Sequence, residues 1–171
     1  PGGGALSGSA ASAGGAPTKP ADGSPMHFEV TSLKPGEMFK SEVGVRAYNF
    51  GDKPIAGYNV MLRYHDAKGA LIAKQTNFGE TSVFGYSFTA KEFTCEPRTW
   101  CTFTIDPEVP AGAVKGEMIA QSLRAVNADG MTMEAEDLFD RPGIGDEWPE
   151  PTAAPTTPAT SAAAAKPVEA K

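Results

Sequence analysis

The chain has 171 residues, among them 19 Gly, 15 Pro and 2 Cys, and a formal net charge of -6. Its 15 Lys and Arg are scattered and outnumbered by 21 acids, which excludes the basic stripe that nucleic acid demands. No apolar run approaches the ~20 residues that cross a bilayer, and both ends are low in complexity, so residues 24–148 are the candidate folded part.

Residues 1–23 are mostly Gly, Ala, Ser and Pro with only Lys19 and Asp22 as charges, a composition expected to stay a flexible tether. Pro1 is not a natural start, so a leader or a longer chain is expected to have preceded it, and a lipid anchor on an upstream residue is compatible with such a tether. Residues 26–33 alternate weakly, with Phe28 and Val30 on one side, and read as an edge strand; Pro35 and Gly36 then suit a turn. Along 39–50, Phe39, Val43, Val45 and Ala47 share one face, with Lys40, Glu42 and Arg46 on the other. A period of two with charge on one face predicts a strand over a core. Gly51, Pro54 and Gly57 interrupt it. Tyr58, Val60, Leu62 and Tyr64 then alternate with Asn59, Met61, Arg63 and His65 as a second half-buried strand.

Asp66 and Gly69 predict a tight reversal into 70–75, and Asn77–Gly79 breaks the chain again. In 82–89 the side bearing Phe84, Tyr86 and Phe88 is expected inside, with Gly85 marking a bulge or a close neighbouring strand. Cys101, Phe103 and Ile105 share one face of the next strand, and Trp100, Thr102 and Thr104 the other. Residues 114–127 form the longest strand candidate, with 131–138 as its return partner. Eight strand candidates with no helical stretch predict an all-β fold, an immunoglobulin-like two-sheet sandwich of seven or eight strands. Residues 149–171, rich in Pro, Thr and Ala, read as an extended spacer.

Chemistry-bearing residues are sparse. Cys95 and Cys101 flank Pro97, which can turn the chain and bring them together. The first reading is a disulfide and an oxidising compartment; the alternative is two small buried hydrophobes. Copper has weak candidates in His27, His65, Met131 and Met133, and calcium in Glu134 and Glu136, against the plainer reading of solvated histidines and an acidic rim. No GxSxG elbow, HExxH or phosphate loop occurs, so no catalytic residue is assigned, no cofactor is expected and the chain reads as a non-enzyme. Aromatic side chains offer the better binding clue: Trp100, Phe84, Tyr86 and Trp148 are candidate partner contacts. For Trp148 the competing reading is a plug for the open end of the sandwich.

Pro35–Glu37, Asn49–Gly51 and the stretch 60–69 (VMLRYHDAKG) together resemble the immunoglobulin-like domains of bacterial surface proteins and lipoproteins, of the CARDB-like and FxLYD-like groups. The resemblance covers about 40 residues closely and adds no catalytic residue. Asp52–Pro54 extends the pattern, and the cysteine pair belongs to neither group. What the resemblance implies is a spacer, adhesion module or assembly part. The expected function is a non-catalytic module making protein–protein contacts at a bacterial cell surface, in the periplasm or in an extracellular filament or other assembly. Copies of the chain itself, joined through edge strands or tails, are one expected partner. A secreted carrier of glycan, copper or calcium is the second reading.

Overall fold

The computed structural model describes residues 15–125, 136–141 and 148–149. Within them lie nine strands: β1 (Met26–Lys34), β2 (Glu42–Asn49), β3 (Gly57–His65), β4 (Lys74–Thr76), β5 (Gly79–Thr81), β6 (Phe84–Thr89), β7 (Trp100–Ile105), β8 (Lys115–Ala125) and β9 (Glu136–Asp140). Alternation decides how they stack. On β2, Val43, Val45 and Ala47 turn inward; on β3, Tyr58, Val60, Leu62 and Tyr64 do the same. The two apolar faces close on each other as the layers of an all-β sandwich.

One sheet has the order β1-β2-β7 and the other β6-β3-β8-β9, all antiparallel, while β4 and β5 form a separate hairpin. A single 3-10 turn, Lys91–Phe93, is the only helical element among the described residues. Aromatic rings fill the side where β6 and β7 lie. Tyr58 stacks on Phe88 at 4.6 Å, and Phe88 meets Phe93 and Phe103 at 5.1 and 5.4 Å. Such pairs add about 0.5–1.5 kcal/mol each beyond the area they bury. Two tyrosines enter the core with their hydroxyls answered: Tyr58 reaches the carbonyls of Ile55 and Phe93, and Tyr64 donates to Glu108 O at 3.0 Å. Burial pushes both phenols above their ordinary range, so they stay neutral donors.

Three expectations are corrected. Phe39 is not inward: β2 begins at Glu42, and Phe39 sits in the preceding loop at φ 69 with 73 % of its surface exposed. Gly85 marks neither bulge nor close approach, because β6 keeps an unbroken register on β3 and open space surrounds a would-be Cβ. Residues 70–75 do not pair back as a strand; a single bridge, His65 to Leu71, precedes the β4–β5 hairpin. Residues 15–23, part of the stretch read as tether, are mostly exposed and touch the sandwich at two places. Asp22 pairs with Arg141, and the Trp100 indole N–H donates to Gly15 O at 3.4 Å. The strand expected over 131–138 is described only from Glu136 onward, as part of β9.

Candidate interaction surfaces

The cysteines lock one end of the sandwich. Cys95 and Cys101 form a disulfide with Cα atoms 5.5 Å apart, tying the 90–99 connection to β7. Asn49 works beside it. Its amide nitrogen donates to Lys53 O at 2.8 Å and Cys95 O at 3.0 Å, and its side-chain oxygen accepts from Gly51 N at 2.8 Å. One buried side chain thus joins the β2–β3 connection to the disulfide loop.

The four aromatic candidates do not share a surface. Phe84 is a core residue, 5.1 Å from Tyr64 in an edge-on contact, and leaves no face for a partner. Tyr86 is half-buried, its hydroxyl bonded to Asp106. Burial and that carboxylate push its phenol up to about 12. Trp100 lies on the outer face of its sheet yet is only 7 % exposed. Arg46 covers its ring at 3.6 Å, the rings of Tyr48 and His27 meet its edges at 5.3 and 6.1 Å, and Gly15 caps its N–H. Trp148 is half-buried over Arg63, whose guanidinium carbon is 4.4 Å from the ring centroid. Rather than closing an end, it walls a groove of about 580 Å³ with Phe28, Val30 and Met118, where β1 meets β8.

The metal candidates are dispersed as well. His27 bonds Glu29 at 3.1 Å, on the sheet opposite His65. His65 bonds Glu117 at 2.7 Å, and Arg63 donates to the same carboxylate at 2.6 Å. The Arg63 bond holds the Glu117 carboxyl below its ordinary range, burial opposes it, and the His65 bond adds to it. Glu136 is paired with Lys53 at 2.6 Å. Met131, Met133 and Glu134 lie outside the described residues. Among those described, no group of three His, Cys, Asp or Glu is placed to hold a metal ion.

A different surface emerges at the end away from the disulfide. Three connections leave the sandwich there: 35–41, 66–83 and 106–114. The last is their hub. Gly36 bridges Val109, Phe39 N donates to Asp106 O at 2.9 Å, Val114 N donates to His65 O at 2.9 Å, and Lys74 pairs with Glu108. Every large apolar side chain exposed among the described residues sits on these connections: Met38, Phe39, Leu71, Phe78 and Val114. Phe78, at the tip of the β4–β5 hairpin, is exposed over its whole surface. Comparison with protein-family models, curated proteins and solved structures finds no match for this chain. The surface therefore stands on its own chemistry. Sequence offered one signal for it: Phe78 lies between Asn77 and Gly79, in a turn where an aromatic has no strand face to bury against.

Proposed function

We propose that this chain is a non-catalytic, exported contact module that works by protein–protein binding at a bacterial cell surface or within an extracellular assembly. The observation that carries the reading is the gathering of Met38, Phe39, Leu71, Phe78 and Val114 on connections at one end of the sandwich. Apolar side chains held in water cost solvation that folding does not require, and their gathering on the connections of one end favours a contact surface there. Neighbouring charges largely cancel: Lys40 pairs with Glu37 and Lys74 with Glu108. Such a neutral, apolar rim suits a protein surface better than an anionic lipid or a polyanion. The Cys95–Cys101 disulfide supports export, because oxidised pairs persist outside reducing compartments. The resemblance to bacterial surface immunoglobulin-like domains points the same way.

The test is site-specific photo-cross-linking in the native envelope. A photo-reactive residue at position 78 or 39 is expected to capture a discrete protein adduct, and one at Asp52, at the far end, is not. Equal capture from both ends, or from neither, overturns the reading. A second reading, a glycan carrier, has one observation in its favour, the groove of about 580 Å³ beside Trp148. Arg63 already covers one ring face. Quenching of Trp148 fluorescence by oligosaccharide, lost in Trp148→Ala, would support it.

A further inference from the structure

β7 has one neighbour. Its Cys101, Phe103 and Ile105 stand opposite Ala47, Val45 and Val43 of β2, and no described strand pairs with its other side. Which backbone groups are left over follows from the ladder. Phe50 N bonds Pro25 O at 2.7 Å toward β1, and Asn49 N bonds Thr99 O at 3.1 Å toward β7. Alternation along β2 then directs the amides and carbonyls of Ala47, Val45 and Val43 to β7, where Cys101, Phe103 and Ile105 answer them. The N–H and C=O groups of Trp100, Thr102 and Thr104 point the other way, into the free edge. Only an extended polypeptide matches donors and acceptors at that spacing.

Folded proteins guard such edges with charge, proline or bulges. β9 carries Glu136, Asp137 and Asp140, and β1 is bulged between Val30 and Ser32. β7 reads WCTFTI, without charge or proline, and its register on β2 is unbroken. Its flanks carry the clue to the partner. Exposed Arg98, in the turn before the strand, and Asp106, which follows it and accepts from the Tyr86 hydroxyl, lie at opposite ends of β7, and neither makes an ion pair among the described residues. Turn a second copy about a two-fold axis through Thr102. Thr102 then faces Thr102, Trp100 faces Thr104, and the turn that carries Arg98 comes beside Asp106 at both ends. β6 is also a free, uncharged edge, but its flanking Ser82, Val83, Ala90 and Lys91 supply one charge and no partner for it.

We infer that two copies of this chain pair antiparallel through β7 about Thr102, joining their three-stranded sheets into one. The inference rests on the contact-module reading and names a second, self-directed contact separate from the apolar loop end. An edge of this length buries less than the ~1,200 Å² of stable complexes, so the association is weak, with a dissociation constant above about 1 μM.

Sedimentation of the full chain from micromolar to millimolar concentration is expected to show a reversible monomer–dimer equilibrium, with the Thr102 and Thr104 amides exchanging more slowly as dimer forms. Thr102→Pro removes an amide that has no bond within the chain and is expected to weaken dimerisation at least tenfold. Thr102→Lys, at an exposed position that folding does not use, sets like charges opposite each other and is expected to do the same. Arg98→Glu sets an acid beside Asp106 and is expected to weaken the dimer. A chain that stays monomeric throughout, or a dimer indifferent to both Thr102 variants, overturns the inference. So does a dimer lost with Phe78→Ser but kept with Thr102→Lys, an outcome that leaves the loop-end contact standing.

Discussion

Asn49 completes two loops with a single amide group. The carbonyl of Lys53 and the amide of Gly51 bond to it, and the carbonyl of Cys95 accepts from it as well as from Ile55 N. Asn49→Ala removes three hydrogen bonds made by a buried side chain, each contributing on the order of 0.5–1.5 kcal/mol. A loss of about 3 kcal/mol is expected from urea unfolding at neutral pH, with an unchanged m-value. Glu117 makes a different kind of contribution. Its carboxyl is held below the ordinary range in the folded chain, chiefly by Arg63, so its stabilisation is fully present above the unfolded carboxylate range. It is lost as the pH falls through the depressed folded value. Melting temperature should therefore drop between about pH 5 and pH 3 more steeply in the parent than in Glu117→Gln, where that part of the titration is absent.

At the scale of elements, alternation was the legible feature. Val43, Val45 and Ala47, and Tyr58 through Tyr64, announced which faces of β2 and β3 turn inward, since a period of two admits one assignment once a face is charged. Turn chemistry was readable too. Asp66 accepts from Lys68 N and Ala70 N at 2.8 and 3.0 Å, and Gly69 adopts φ 81. Phe39 shows where the pattern misled: it keeps step with Val43, but Gly36 is recruited by Val109 and the chain turns before Glu42. A phenylalanine at φ 69 costs on the order of 1 kcal/mol. Phe39→Gly is expected to raise stability by about 1 kcal/mol in chemical denaturation while weakening capture of the partner at the loop end. The disulfide closes a sequence separation of 6, so its reduction should lower stability by about 2 kcal/mol. Thermal melts with and without reductant would measure it.

For the whole molecule, the two ends differ in build. The Cys95 end is tied by the disulfide, Asn49 and the Lys53–Glu136 pair; the Asp106–Val114 end displays apolar side chains. Phe78 makes no core contact, so Phe78→Ser should leave the melting temperature within the range of about ±0.5 kcal/mol usual for surface changes, whatever it does to binding. The sequence by itself determined most of the strands and the inward faces of β2 and β3, because alternation is written in local spacing, whereas it left Cys95 and Cys101 either bonded or free until the fold brought them together. Tertiary structure alone decided that Trp100 is covered by Arg46 and Gly15, that five apolar side chains share one end, and that β7 is left with a free edge. Those outcomes join residues from distant segments, and a side chain's exposure depends on which strands come to lie beside its own.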